Sequence, residues 1–154
     1  MLTPEQKERV RALSLALVGE RYILGTEIDL AKVLPGMEIQ EVCDLVPALD
    51  CSEMVQVVFK WATGIEVVDL AAKQYDASVP IESIGLLEPE VGDLGFKRIK
   101  AKIAHVGIFV GEWRVVEARG KDYGVVIRDA KAGWQNQTVF AGWRRLRQFV
   151  DSAG

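Results

Sequence analysis

Cysteine and histidine are scarce in this chain. Its 154 residues include two cysteines, Cys43 and Cys51, and one histidine, His105. Two cysteines exclude a disulfide-built scaffold, and with a single histidine they are too few for a His/Cys zinc site. No metal or other cofactor is expected. Long apolar runs are also missing. None approaches the roughly 20 residues that cross a bilayer, so no membrane span is expected. Positive charge is not in excess either. The formal net charge is −3, which excludes a broad nucleic-acid surface or a surface for anionic membranes. Residues 1–11 are polar and charged and lack the apolar centre of a secretory signal. The protein is therefore expected to be made and held in the cytoplasm until something releases or delivers it.

What is present is an ordinary globular balance. Apolar residues make up 49% and charged residues 27%, enough for a real core in one compact domain over 1–154. Thr3, Pro4 and Gln6 have the spacing of a helix start with a capping box, and Val10, Leu13 and Leu17 fall on one face before Gly19. Residues 26–49 contain Pro35-Gly36 and Pro47 and hold no sustained period. They are expected to form a long loop or small subdomain, with a short helix near 29–33. Asp50-Cys51-Ser52 opens the clearest helix. Met54, Val57, Val58 and Trp61 form its apolar stripe, and Gly64 ends it. A second short helix is expected over 69–75. Beyond Pro89 and Gly92, β-like runs follow over 93–97, 103–110, 113–119, 124–128 and 139–146, punctuated by Gly111 and Gly120. Helices first and an antiparallel sheet after them is an α+β order.

Cys51 is the first candidate for chemistry. Unpaired N–H groups and the dipole at a helix N-terminus favour an anion such as a thiolate. Its spacing from Met54 turns the thiol toward the apolar face rather than bulk solvent. A small buried cysteine in a first turn is the bland alternative. His105 opens a strand whose alternate residues are Val106, Ile108 and Val110, and Gly107 beside it leaves room for a close approach. Glu117 lies between Val116 and Ala118, where a carboxylate needs a partner. An imidazole N–H would serve, and would fix the ring's tautomer. Alternation sets a condition on this pair. A two-residue turn pairing Val110 with Trp113 sends Glu117 to the face opposite His105, whereas an odd turn or a bulge puts the two on one face; a three-residue turn over Val110-Gly111-Glu112, with Phe109 facing Trp113, sets them directly opposite. Lys97, Arg98, Lys100 and Lys102 read as a solvated basic turn, with reception of substrate carboxylates as the alternative. Arg144, Arg145 and Arg147 read as solvated surface, and Cys43 as a small packed side chain.

Taken in order, these fragments resemble the NlpC family of cell-wall cysteine peptidases. Asp50-Cys51-Ser52 is similar to the family's nucleophile motif. Gly92-Asp93-Leu94 and Ala104-His105-Val106-Gly107-Ile108-Phe109-Val110-Gly111 are similar to its two following strands. Val115-Val116-Glu117-Ala118 matches the strand carrying its third, variable polar residue. Tyr22 lies where the family has a tyrosine near the thiolate, Gln74 where a glutamine follows the catalytic helix, and Phe140-Ala141-Gly142-Trp143-Arg144-Arg145 resembles the last strand. The likeness runs from Gly19 to Arg145. It departs from the pattern at Glu53, where the family has glycine, and at 26–49, where it has a short link.

The resemblance implies a papain-like fold in which the helix bearing the nucleophile packs on a C-terminal antiparallel sheet or barrel. It implies Cys51, His105 and Glu117 as catalytic residues, and Tyr22, Ser52 and Gln74 around the oxyanion and substrate. The implied substrate is an amide of the peptidoglycan stem peptide, often one after γ-D-glutamate, cut at the bacterial cell wall. A phage lysin, a phage tail enzyme or a secreted effector would fit that role. A CHAP-type amidase, or a structural or binding module that kept the fold without turnover, are the alternatives. In the family's context Glu53 would narrow or charge the site, and the 26–49 insertion would reshape the groove.

Overall fold

A computed structural model describes residues 1–26 and 28–150. Glu27, within the expected loop, and residues 151–154 lie outside the described residues. Helix α1 (Pro4–Ala16) begins as its sequence dictates. The Thr3 hydroxyl accepts the Gln6 N–H at 3.1 Å, and the Gln6 side chain accepts the Thr3 N–H at 3.0 Å. Val10, Leu13 and Leu17 are buried. The helix stops before Gly19, which takes φ 99° and donates its N–H to the Val125 carbonyl at 2.9 Å. That bond carries the chain to the sheet.

The stretch expected to be loop holds more structure than its sequence announces. Strand β1 (Arg21–Tyr22) is followed by a 3-10 turn (Leu30–Lys32), helix α2 (Ile39–Leu45) and strand β2 (Ala48–Leu49). The 3-10 turn stands where a short helix is expected. Helix α2 is too short to display a period, and Pro35-Gly36 and Pro47 disguise it; a Glu38/Glu41 capping box starts it. The strands β1 and β2 pair in parallel, Arg21 with Ala48 and Tyr22 with Leu49. The insertion therefore leaves and re-enters the domain at one point. Its Val33, Val42 and Val46 are fully buried, and the Trp61 indole N–H donates to the Met37 carbonyl at 2.8 Å. Arg9 lies 4.0 Å over the Trp61 ring and donates to the Pro35 carbonyl. Residues 30–46 thus pack on α1 and on the helix that follows, as a small helical flap rather than a free loop.

That following helix, α3 (Cys51–Thr63), buries Met54, Val55, Val57, Val58, Phe59, Trp61 and Ala62. Gly64 closes it in the left-handed conformation at φ 78°. After α4 (Ala71–Asp76) comes a six-stranded antiparallel sheet of β3 (Ser78–Pro80), β4 (Leu94–Ile99), β5 (Lys102–Phe109), β6 (Arg114–Ala118), β7 (Val125–Asp129) and β8 (Phe140–Leu146), ordered β3-β8-β4-β5-β6-β7. The α+β arrangement expected above is the one observed. β3, a short edge pairing with β8, carries no strand signal in the sequence.

Alternation along the sheet separates two apolar regions. Leu94, Phe96, Val106, Ile108 and Val116 join α1 and α3 in the main core. Phe109 and Val115 face the other way, onto Trp134 and Trp143. Two arginines and a lysine expected in solvent are in fact placed. Arg145 is buried, its Nε 2.7 Å and one terminal nitrogen 3.1 Å from the Asp93 carboxylate, and it also pairs with Glu90 at 2.9 Å. Arg144 lies 3.9 Å over Tyr75. The Lys97 ammonium is drawn inward to the Gly133 carbonyl and the Gln137 side chain, at 2.7 and 2.8 Å. None of the described helices is long and apolar enough to cross a membrane.

Gly95 pairs with Gly107 across β4 and β5. The two bare positions form a slot for indole rings. A Cβ on Gly95 would come within 2.7 Å of Trp143 and 3.0 Å of Trp134. Gly95→Ala should therefore overpack the slot and cost about 1–3 kcal/mol, or ~2–4 °C of Tm per kcal/mol. Gly36→Ala, with nothing within 4 Å of the new Cβ, should stay within about 0.5 kcal/mol. Thermal unfolding of both variants checks the slot; equal effects would contradict it.

Candidate functional site

Cys51 occupies the first position of α3, where its own N–H has no intrahelical partner. The turn is held from both sides. Asp50 Oδ1 accepts the Glu53 N–H at 2.9 Å, and Glu53 Oε1 accepts the Asp50 N–H at 3.1 Å. Glu53 is thus the second half of a capping box. It folds back on its own helix and lines neither of the clefts beside Cys51, so it does not narrow the site. Burial, reinforced by the negative charge of Asp50 and Asp69, lifts its carboxyl to about 7. Asp50 Oδ2 accepts the Gly25 N–H at 3.2 Å. Together with the Tyr22–Leu49 pairing, this fixes Tyr22 next to Cys51 whatever the insertion's length.

Of Ser52 and Gln74, expected at the substrate, Ser52 lines the cleft that holds Cys51 and Gln74 does not. The Ser52 hydroxyl lies 3.2 Å from Asp50 Oδ1 and 3.1 Å from Asp69 Oδ1, and its one proton serves one carboxylate at a time. Gln74 is fully buried and lines neither cleft. Its amide donates to the Ser52 and Val68 carbonyls, at 3.1 and 3.0 Å. Direct substrate contact by Gln74 is thereby corrected: it ties the first turn of α3 to the segment leading into α4.

On the sheet side the parity condition is met. Val110 donates to the Arg114 carbonyl at 3.0 Å around a three-residue turn, Gly111-Glu112-Trp113, all at positive φ. The ladder above it pairs Phe109 with Val115 and Ile108 with Val116. Continued, this register sets Gly107 opposite Glu117, and Arg119 opposite His105. His105 and Glu117 therefore share a face as diagonal neighbours rather than as a directly opposed pair. His105 Nε2 lies 3.2 Å from Glu117 Oε1.

A residue unmarked by the sequence reading completes the arrangement. Trp134, on a π-helical turn (Lys131–Gln135) after β7, donates its indole N–H to Glu117 Oε2 at 2.6 Å. Its ring stacks on His105, with centroids 5.4 Å apart and planes at 21°. The close approach foreseen at Gly107 is that of Trp134: a Cβ there would meet the ring at 2.8 Å. Two glycines in register across apolar strands were the available signal. Arg128 adds a guanidinium nitrogen 3.8 Å from Glu117 Oε1.

The electrostatics follow. Burial opposes the Glu117 charge, but the hydrogen bond from His105 and the charges of His105, Lys97 and Arg128 hold the carboxyl below its usual range. Burial alone would lower the His105 pKa. Hydrogen bonding and charge from Cys51 and Glu117 outweigh it and raise the ring to about 9. Tyr22 is pushed up by burial first and then by the negative charges of Cys51, Asp50 and Glu53, which keeps its phenol a donor.

Two clefts meet here, both lined by Tyr22 and Ala104. One, of about 290 Å³, holds Cys51 and Ser52 with Leu24, Leu70 and Ala71. The other, of about 460 Å³, holds His105 and Glu117 with Lys97, Arg119 and Arg128. The arrangement offers a thiol at a helix N-terminus, an imidazole with a fixed tautomer, free N–H donors and room on either side.

The NlpC/P60 family model matches residues 19–144. No curated protein matches the chain. Among solved structures it is similar to a lipoprotein-like NLP/P60-family protein from Staphylococcus aureus, at 23% identity and a TM-score of 0.61 over 94% of this chain and 42% of that one. It is similar to the P60 domain of an antigen from M. avium subspecies paratuberculosis, at 20% identity and 0.64 over 92% and 94%. It is similar to the peptidoglycan hydrolase RipB from Mycobacterium tuberculosis, at 21% identity and 0.62 over 91% and 63%. The chain spans less than half of the Staphylococcus aureus protein, and at these identities the likeness is one of fold.

The raised Glu53 carboxyl has a consequence for stability. Between its ordinary value near 4.5 and about 7 the folded chain holds a proton that the unfolded chain has released, so stability falls as pH rises through that window. Glu53→Gln keeps the acceptor for the Asp50 N–H and has no proton to lose. Its advantage over the parent should grow by roughly 1–3 kcal/mol between pH 4.5 and pH 8. Melting curves at the two pH values test this; a pH-independent difference would contradict it.

Proposed function

As the chain belongs to the NlpC/P60 family, we propose that it is a peptidoglycan hydrolase, a cysteine peptidase that cuts an amide of the wall stem peptide, after γ-D-glutamate, by way of a thioester. The observation that carries this reading is the single histidine, bound through Nε2 to a buried carboxylate and stacked on an indole that donates to the same carboxylate. So much buried polar structure around one ring fixes a tautomer and an orientation, which is what a shuttling imidazole needs. The similarity in fold to RipB, named a peptidoglycan hydrolase, supports the same reading.

In the proposed reaction the Cys51 thiolate attacks the amide carbonyl while His105 carries a proton. The charge on the carbonyl oxygen is received by the Cys51 N–H and the Tyr22 hydroxyl, donors of a kind worth about 10²–10³ in rate each. The C–N bond breaks as His105 gives its proton to the departing nitrogen. The neutral imidazole then takes a proton from water, which attacks the thioester and returns Cys51 to the thiolate. Glu117 and Trp134 touch no reacting atom; they position His105. The raised His105 pKa keeps the acid form present through neutral pH. The reading places the protein's work at the bacterial wall.

Digestion of purified peptidoglycan, with fragments identified by mass spectrometry, tests this. Cys51→Ala should fold and lose turnover by about 10³-fold or more, while Cys43→Ala should be nearly silent. Fragments should end in γ-D-glutamate. Release of intact stem peptides from the glycan would replace the peptidase by an amidase. Wall digestion by folded Cys51→Ala would remove Cys51 as nucleophile.

A further inference from the structure

The larger cleft carries charge that the hydrolytic chemistry does not use. Lys97 pairs directly with His105 across β4 and β5. The β5–β6 register, continued beyond its two pairs, runs Arg119 toward His105, and Arg128 pairs with Val115, the neighbour of Glu117 on its face of β6. Paired residues on antiparallel strands share a face. Lys97 on β4, Arg128 on β7 and Arg119, the residue just past the end of β6, therefore project on the side where His105 stands, and all three line the cleft beside it.

The protein supplies little to neutralise them. Among the described residues Glu117 is the only carboxylate lining that cleft; Arg128 stands 3.8 Å from one of its oxygens, and His105 and Trp134 already engage it, so one shared carboxylate faces all three cations. The Lys97 ammonium is held by two neutral oxygens, of Gly133 and Gln137. Arg119 makes no ion pair among the described residues, and its guanidinium is braced 4.0 Å over the Tyr123 ring. Arg128 packs against Gly133, where an added Cβ would meet its guanidinium at 3.2 Å. The cations also work against one another. Burial first, and then the charges of Arg128 and Arg119 against the pull of Glu117, bring Lys97 below its ordinary value. Repulsion left standing around an open cleft is relieved by an anion from outside.

The proposed reaction says which half of the substrate that anion belongs to. His105 delivers its proton to the departing nitrogen, so the amine half must lie against His105, in the larger cleft. The acyl half then lies toward Cys51 and the apolar lining of Leu24, Leu70 and Ala71. Resting on the peptidase reading above, we propose that Arg119 and Arg128, in the field of Lys97, form a subsite for a free carboxylate on the leaving-amine half of the substrate. Guanidinium groups suit a carboxylate because the planar fork matches its two oxygens.

Two tripeptides test this: L-Ala-γ-D-Glu-L-Ala with a free C-terminal carboxylate, and the same peptide as its C-terminal amide. The parent protein should cleave the acid with a kcat/KM at least about tenfold above that of the amide, the size of one charge-assisted contact. Raising the salt should shrink that ratio. In Arg119→Gln the ratio should collapse to within about threefold. The same pair titrated calorimetrically into Cys51→Ala separates binding from turnover. Tighter binding of the acid, lost in Cys51→Ala/Arg119→Gln, supports the subsite even if the parent cleaves neither peptide, and the peptidase reading alone then fails. Equal binding or cleavage of acid and amide, or an unchanged preference in Arg119→Gln, overturns the subsite.

Discussion

The site depends on one carboxylate placed where carboxylates are costly. Glu117 is 1% exposed, in a strand flanked by apolar residues. Removing an ion from water costs on the order of several kcal/mol unless hydrogen bonds and opposite charge replace the hydration. His105 and Trp134 occupy one oxygen each, and Arg128 stands near. Every neighbouring peculiarity serves that arrangement. Gly95 and Gly107 clear a slot for Trp134, and the π-helical turn after β7 brings the indole into it. The odd turn at Gly111-Glu112-Trp113 keeps Glu117 on the face of His105. The ring is thereby held by its far nitrogen and by its face, leaving its other edge for Cys51.

The Cys51 side is built on separate principles. Asp50 and Glu53 cap α3 reciprocally, and Gln74 fastens the Ser52 carbonyl from behind. The small β1–β2 pair closes the 26–49 insertion at its base. An insertion closed in this way can vary in length and packing without moving Tyr22 or Cys51. Its described residues add apolar area against α1 and α3 and line neither cleft, whose walls are mainly apolar on one side of the cysteine and cationic on the other.

Much of this was legible in the sequence, for definable reasons. Helices α1 and α3 carry caps and a sustained apolar period, and β4 to β8 alternate between glycine stops. The condition that Glu117 and His105 demand an odd turn follows from strand geometry alone. The failures have a common cause: they depend on partners distant in sequence. Strands β1, β2 and β3 are two or three residues long and exist because a neighbour pairs with them. Arg145 and Lys97 look like surface charges until Asp93 and the Gly133 carbonyl are known to face them. Gln74 reads as a substrate amide, yet its partners are two carbonyls brought together by the fold. Glu53 reads as an intrusion into the groove; its spacing from Asp50 marks it instead as half of a capping box.

The presence of one histidine makes the central claim open to direct measurement. An NMR titration of the His105 ring carries no overlap from other imidazoles. If the ring is held between Cys51 and the buried Glu117, it titrates at about 9, above the ordinary 6.5. In Glu117→Gln, and in Cys51→Ala, the value falls back toward ordinary. Because a raised histidine pKa contributes stability that is complete below about 6.5 and lost as pH rises through about 9, the chain should also soften across that interval. A ring titrating near 6.5 in the parent protein, unmoved by either substitution, would contradict the account.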